Sequence, residues 1–273
     1  MSAQVVSFCF ITNFHVLFGQ SFRNSVFLVY FDSRSIEWSL ILVGFIGISL
    51  QAMDTSHVAL VSLSLSMEGF ESYRCDQNVV LGINIANLSK VLKLSDPADS
   101  ITLQADQDPS TLKLIFENPK TQRSTEFSLN LISLDVEHLS IPETDYSSLI
   151  TINSGEFSKI CKELQALSES LTIKTSADSV HLQVEGQAGK GFVRLTSDES
   201  DRKDEATMIE VTEPVEQQFA LNYLNLFNKA SSLSTHTRLL MNVEQPLVTE
   251  FRIESLGVLK YYLAPKISEE WYT

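Results

Sequence analysis

Apolar residues recur three and four positions apart in two stretches of the chain, which is the spacing of one face of an α-helix. The positions are Ile85, Leu88 and Leu92 in the first stretch and Phe157, Ile160, Leu164 and Leu167 in the second. A related stretch, LNLFNK at 224–229, has a similar composition. The pattern therefore predicts three short amphipathic helices.

Segments rich in β-branched and apolar residues follow each predicted helix. They are ITLQA and TLKLIF after the first helix, LTIKT and VHLQV after the second, and TRLLM and VTEFRI after the third. Such segments predict antiparallel strands. We therefore expect an α+β protein built from repeated units of one helix and several antiparallel strands.

The three predicted helices share a short motif that ends in lysine: LSKVLK, FSKICK and LNLFNK. The final residues, Lys93, Lys162 and Lys229, lie 69 and 67 residues apart, which indicates an internal repeat. Lys90 and Lys159 precede the first two of these by three positions, so each pair shares the exposed side of its helix. A single exposed lysine is usually only solvated, but three matched copies favour a common cationic surface.

Length and charge are compatible with a repeat protein that has a local cationic surface. The 273 residues suffice for two domains, and 44% of them are hydrophobic. The net charge of −14 argues against a generally basic nucleic-acid-binding protein. A cationic strip can nevertheless persist on an acidic protein when the acidic residues lie on another surface.

The sequence offers little for metal or catalytic chemistry. Cys9, Cys75 and Cys161 are widely scattered, which fits a reducing compartment better than a disulfide framework. The five histidines share no metal-ligand spacing, and no phosphate-binding glycine loop or nucleophile motif is present. We therefore expect no metal, no cofactor and no enzymatic activity. A hydrolase assembled from distant residues stays an alternative that loss of turnover in a point variant would identify.

Residues 131–147 form a polar segment interrupted by Pro142 that reads as an extended connector. Leu139 and Ile141 alternate within it, so both would point to the same side of an extended chain. That apolar side would either pack on its own domain or face a partner, and the pattern alone favours neither.

Five segments together resemble the proliferating cell nuclear antigen family of eukaryotic DNA sliding clamps. They are MDTSHVALVSLSL at 53–65, EGFESYRCDQN at 68–78, LDVEHLSIPE at 134–143, EPVEQQFALNYLNLF at 213–227 and LKYYLAPKI at 259–267. The resemblance runs from about Gly47 to Ile267. It implies two similar domains of helix plus antiparallel sheet, assembled as a ring-shaped homotrimer with helices around the central hole.

The resemblance also implies a division of the chain. We expect an atypical N-terminus without family match at 1–46, an N-terminal clamp domain at 47–130, an interdomain connector at 131–147, a C-terminal clamp domain at 148–267 and a short tail at 268–273. Near Val26, where the repeat would place another helix, the segment 22–32 has no lysine and no matching pattern.

As a clamp of this kind, the protein would be a nuclear processivity factor for DNA polymerases. Its partners would be double-stranded DNA, held independently of sequence, together with polymerases, the clamp loader and other PIP-box proteins, and no membrane. The residues facing DNA would be Lys90, Lys93, Lys159, Lys162 and Lys229. Lysines suit this role because their contacts would be directed at phosphates and would not read bases.

Two further sets of residues follow from the resemblance. A pocket for the partner peptide would be formed by Met53, His57, Val58, Leu139, Ile141, Pro142, Pro246, Tyr262, Leu263, Ala264 and Pro265. The subunit joint would pair strands 123–129 and 191–195 through Arg123, Phe127, Phe192 and Val193, supported by Leu164.

Two alternative functions are open. The protein would be a subunit of the related checkpoint clamp, or a β-rich secreted or membrane-anchored interaction protein that uses the apolar N-terminus as its anchor.

Overall fold

The protein is described here by a computed structural model that covers residues 14–18, 38–96, 98–106, 109–133, 144–197 and 206–266, with backbone only for 14–18 and Trp38. The described residues fall into two compact units. Unit 1 contains residues 14–18, 38–50 and 65–133, and unit 2 contains residues 51–64 and those from 144 to 266.

The strands, in chain order, are β1 Phe14–Phe18, β2 Trp38–Gly44, β3 Gly47–Met53, β4 Ala59–Ser66, β5 Ser72–Cys75, β6 Val79–Asn84, β7 Ser100–Ala105, β8 Thr111–Asn118, β9 Arg123–Asn130, β10 Ser148–Asn153, β11 Ser170–Thr175, β12 Ser179–Gly186, β13 Gly189–Thr196, β14 Met208–Val211, β15 Glu216–Ala220, β16 His236–Met241, β17 Leu247–Ile253 and β18 Gly257–Leu263. The α-helices are α1 Ile85–Leu92, α2 Ser154–Gln165 and α3 Leu221–Phe227. Short 3-10 helices cover Met67–Gly69 and Asn228–Ser232.

Unit 1 contains a five-stranded antiparallel sheet in the order β5-β1-β7-β8-β9. Strands β2 and β6 pair antiparallel beside α1. At the start of β3, a Cβ on Gly47 would lie only 1.9 Å from the carbonyl oxygen of Leu65, and φ there is +149°. Glycine is therefore required at this position, because β3 lies so close to the backbone of β4.

Unit 2 contains a four-stranded sheet in the order β13-β12-β11-β15 and a second run of strands in the order β14-β10-β16-β17-β18-β4. Its two helices pack side by side, since Asn225 Nδ2 of α3 donates to the carbonyl oxygen of Cys161 at 3.3 Å and to Gln165 Oε1 at 2.8 Å. Phe157, Phe219 and Phe251 are fully buried in its core.

The predicted helix-plus-strand repeat is confirmed at all three places. Each helix follows one strand, β6, β10 or β15, and precedes a run of three: β7 to β9, β11 to β13 and β16 to β18. The apolar faces are buried as expected, with Ile85, Leu88 and Leu92 all at most 4% exposed. Asn84 and Asn153 cap the first two helices by accepting a backbone N–H three residues on.

One predicted core position is wrong. Leu167 was expected on the buried face of α2, but the helix ends at Gln165 and the Leu167 side chain is 47% exposed. The backbone N–H groups of Leu167 and Ser168 both turn back to the Leu164 carbonyl oxygen, so the chain leaves the helical path before that position.

Part of the atypical N-terminal segment nevertheless joins the fold. Strand β1 pairs with both β5 and β7, and β2 pairs with β6 along six residue pairs. The segment near Val26, where the repeat would place a further helix, lies outside the described residues.

Candidate DNA-facing and peptide-binding surfaces

The five lysines of the repeat all lie on helical segments and are all exposed. Lys90 lies in the last turn of α1 and Lys93 is its C-cap residue. Lys159 and Lys162 lie on α2, and Lys229 lies in the 3-10 helix that directly follows α3. Their ammonium groups stand on the solvent side because the apolar side of each helix is buried against the sheets.

Few acidic groups neutralise these lysines. Lys159 Nζ lies 3.9 Å from Glu163 Oε1, but both side chains are mostly exposed, so the pair contributes little. Within the described residues, Lys90, Lys93 and Lys162 have no carboxylate within 4.0 Å. Their charge is therefore available to a polyanion.

The predicted peptide pocket begins at the turn between β3 and β4, which belongs to unit 2. Asp54 Oδ1 accepts hydrogen bonds from the backbone N–H groups of Val58 at 2.8 Å and Ala59 at 2.7 Å. His57 adopts a left-handed backbone with φ of 56°, and its Nδ1 lies 2.9 Å from Met53 Sδ. The turn thus holds Met53, His57 and Val58 together at the surface.

The end of β18 lies against this turn. The backbone N–H of Ala264 donates to the carbonyl oxygen of Val58 at 3.0 Å. Tyr262 lies opposite Val248 of β17 and is partly exposed, and Pro265 is partly exposed beside the exposed Ala264. Pro246 is exposed directly before β17.

The Leu263 side chain is completely buried opposite Leu247, so a peptide would meet only its backbone. Leu139, Ile141 and Pro142 lie outside the described residues, and their place in the pocket stays a prediction.

Tyr146 was missed by the sequence reasoning although it lies beside the pocket. Burial, followed by the charges of the nearby Tyr146 and Glu250, raises the pKa of Tyr262 to about 12. Burial, followed by the charge of Glu250, likewise raises the pKa of Tyr146. The available signal was an aromatic residue at the end of the connector, two positions before β10 begins at Ser148.

The predicted joint strands both lie at sheet edges. Strand β9 ends the unit 1 sheet and β13 ends the four-stranded sheet of unit 2. Phe192 of β13 is 65% exposed and stacks on His181, with ring centroids 5.8 Å apart. Phe127 of β9 is half-buried against Phe116, and the Arg123 side chain is exposed at the start of that strand.

The other two predicted joint residues differ from each other. Val193 is partly exposed on β13, whereas Leu164 on α2 is buried in the core of unit 2. Leu164 would therefore support such a joint from beneath and would not meet a partner directly.

The residues that the structure covers show neither a metal-binding cluster nor a helix suited to a membrane. These residues contain no group of three histidine, cysteine or carboxylate side chains placed to hold a metal ion. None of their helices has the length and apolar character needed to cross a membrane.

Comparison with known families accounts for most of the chain. The family model for the N-terminal domain of proliferating cell nuclear antigen matches residues 43–138, and the model for its C-terminal domain matches residues 140–266. The chain belongs to the proliferating cell nuclear antigen family. The two units, their antiparallel sheets and their few helices fit the DNA clamp fold of this family.

Membership in the proliferating cell nuclear antigen family makes the chain a sliding-clamp protein and implies DNA and protein partners. The matched region begins at residue 43, close to Gly47, where the sequence resemblance was expected to begin. The three lysine-bearing helices, the turn at Asp54 and both edge strands all lie inside the matched residues.

Proposed function

We propose that this protein is a DNA sliding clamp that encircles duplex DNA as a homotrimer and serves as a processivity factor for DNA polymerases. The observation that carries the proposal is the set of five exposed lysines at matching places in three equivalent helices. In a chain of net charge −14, these lysines give the helices of each unit a locally cationic side. Lysines bind phosphates as point charges without reading bases, which suits a protein that must slide.

The two edge strands support assembly into a ring. An unpaired edge offers backbone N–H and C=O groups to another strand, and a natural protein normally covers or blocks it. In the proposed joint, β9 of one copy pairs with β13 of the next, and Phe127 meets Phe192 or Val193. Because the two edges differ, this contact is head-to-tail, and it gives a ring and not an open filament when the rotation between copies closes after three.

The surface around the Asp54 turn supports the recruitment of other proteins. Met53, Val58, Tyr262 and Pro265 offer apolar surface, while exposed backbone near Ala264 can fix the direction of a bound peptide. We propose that polymerases, the clamp loader and other PIP-box proteins bind here. The protein would act in the nucleus and without catalysis, because encirclement and recruitment need no chemical step.

Loading without a clamp loader gives a direct test. Light scattering of the purified chain should show a species of three chain masses. On linear duplex fixed to beads at one end, the ring should thread over the open end and then be retained when that end is capped with streptavidin. Duplex with an uncapped end should lose the protein on washing.

A monomer at all concentrations, or equal retention on capped and uncapped duplex, would contradict the proposal. A chain that forms no trimer alone but joins a ring with other clamp subunits would instead support the checkpoint-clamp alternative. Self-assembly of the pure chain thus separates the two functions.

A further inference from the structure

A cationic cluster surrounds one buried carboxylate on the sheet of unit 2. Glu250 of β17 accepts from Arg238 Nη1 at 2.6 Å and from Arg252 Nε at 3.0 Å, and it lies 3.7 Å from Lys260 Nζ. The Glu250 side chain is 5% exposed, whereas Arg252 and Lys260 are 65% and 41% exposed. We call Arg238, Arg252 and Lys260 the β17 cationic cluster.

Strand register explains the cluster. Arg238 on β16 and Lys260 on β18 both lie directly opposite Glu250, and Arg252 lies two residues along the same strand. Alternate residues of a strand share a face, so all four groups lie on the same side of the sheet. Three cations around one anion leave a surplus of positive charge.

This surplus persists at neutral pH. Burial alone would raise the pKa of Glu250, but the hydrogen bonds from Arg252 and Arg238 and the charges of Arg238 and Lys260 outweigh it and lower that pKa. Glu250 is therefore ionised, and it is the one carboxylate within 4.0 Å of the cluster among the residues that the structure describes.

The β17 cationic cluster lies on the same face of the sheet as Tyr262 of the proposed peptide pocket. This face points away from the lysine-bearing helices of unit 2. Tyr262 follows Lys260 by two residues on the same face, and Glu250 contributes to its raised pKa. Tyr261, between them, points the other way and stacks on Phe227 of α3 with centroids 4.4 Å apart. The cluster is thus placed beside a bound peptide and away from the proposed DNA-facing lysines.

We propose that the β17 cationic cluster binds acidic residues that flank the apolar anchor of a partner peptide seated at Tyr262. The inference rests on the proposed peptide-binding function. Lys260 and Tyr262 are separated by about 7 Å along the strand, so a carboxylate a few residues from the anchor reaches the cluster. On a chain of net charge −14, this surface attracts an acidic segment and fixes which way the peptide runs.

The test uses two synthetic peptides with the same apolar and aromatic anchors. One carries three acidic residues in its flank, and the other carries serine and glutamine there. The full chain should bind the acidic peptide more tightly, and the advantage should shrink at high salt. In Arg252→Gln/Lys260→Gln, the acidic peptide should bind roughly three- to tenfold more weakly, and the neutral peptide should bind as before.

Lys113→Gln/Lys174→Gln is the matched control, because it removes two ion-paired sheet lysines of similar exposure elsewhere. It should leave both peptides unaffected. Equal binding of the two peptides by the unaltered protein would overturn the inference alone. Failure of both peptides to bind that protein would overturn the proposed peptide pocket and the inference with it.

Binding of a short linear duplex to the same variants supplies a second arm. Arg252→Gln/Lys260→Gln should bind the duplex as the unaltered protein does. A loss of duplex binding with unchanged peptide binding would make the cluster a DNA contact and refute the inference.

Discussion

The hydroxyl of Tyr223 donates a 2.7 Å hydrogen bond to Asp54 Oδ2, although 169 residues separate them in the chain. Tyr223 lies on α3, and Asp54 begins the turn that carries His57 and Val58. The other oxygen of the same carboxylate holds the backbone of Val58. One buried carboxylate therefore connects a helix of the DNA-facing set to the edge of the proposed peptide pocket within unit 2.

Removing that hydroxyl should weaken the turn. In Tyr223→Phe, Asp54 Oδ2 keeps only the longer 3.3 Å bond from Ser56 N–H. Since hydrogen bonds to a charged group contribute about 1.5 to 3 kcal/mol, the free energy of unfolding should fall by about that amount, as measured by urea denaturation. Tyr262→Phe is the control, because its hydroxyl has no hydrogen bond among the described residues, and equal losses in both variants would refute the assignment.

The Asp54 carboxylate should also make stability depend on pH. Burial would raise its pKa, but the hydrogen bonds from Ala59, Tyr223, Val58 and Ser56 outweigh burial and lower the pKa below 3.8. A lowered folded pKa stabilises the folded state above the unfolded pKa, and this contribution is lost as pH falls through the folded value.

Asp54→Asn cannot titrate at this position and serves as the reference. The difference in unfolding free energy between the unaltered protein and Asp54→Asn should be constant from neutral pH to about pH 5. It should shrink at lower pH. A difference that stays flat to pH 3 would show that the carboxylate is not held in its ionised form by the turn.

Helices and strands were predictable because their patterns are local. Ile85, Leu88 and Leu92 reveal the buried face of α1 by spacing alone, and β-branched runs reveal the strands. The end of α2 was not predictable from spacing, because Leu167 continues the apolar pattern after the backbone has left the helix.

The site was only partly predictable because much of it depends on strand register. Glu250 reads as an ordinary charged residue, and its burial follows from pairing with Arg238 and Lys260 on two other strands. The Tyr223–Asp54 bond likewise joins distant segments and leaves no local signal. The pocket and joint residues came from family resemblance, which transfers long-range contacts that a single pattern does not contain.

Charge reversal should test the DNA-facing lysines. Lys93→Glu with Lys162→Glu should reduce retention on end-capped duplex, because two phosphate-directed charges per chain become repulsive, while the trimer stays intact. The slope of the logarithm of the binding constant against the logarithm of the salt concentration should become less negative by about one for each lysine lost. Lys113→Glu with Lys174→Glu makes the same change in net charge on the sheets and should retain DNA. Unchanged retention in the Lys93→Glu/Lys162→Glu variant would refute the assignment of these helix lysines to the DNA-facing surface.

Single substitutions should test the peptide pocket. Tyr262→Ala and Ile141→Ala should each weaken binding of a PIP-box peptide by about 1 to 3 kcal/mol, because each removes an apolar contact to the anchor. Isothermal titration with the trimer would measure the affinity. Val243→Ala removes another exposed apolar side chain, in the turn between β16 and β17, and should leave affinity unchanged. If all three variants bound the peptide as tightly as the unaltered protein does, the proposed pocket would be excluded.

The edge strand β13 should control assembly. Phe192 is 65% exposed in the single chain and stacks on His181, and the proposed joint would bury its apolar ring against another copy. In Phe192→Glu, a charge would enter that proposed joint without a partner, and the few residues that dominate an interface contribute about 2 kcal/mol or more each. Light scattering across a dilution series should then show dissociation at concentrations where the unaltered protein is trimeric, while thermal unfolding of the monomer changes little. Val243→Glu places the same charge at an exposed apolar position in the turn between β16 and β17 and should remain trimeric. A Phe192→Glu protein that stays trimeric throughout the series would show that β13 does not form the joint, and the head-to-tail pairing of β9 with β13 would have to be abandoned.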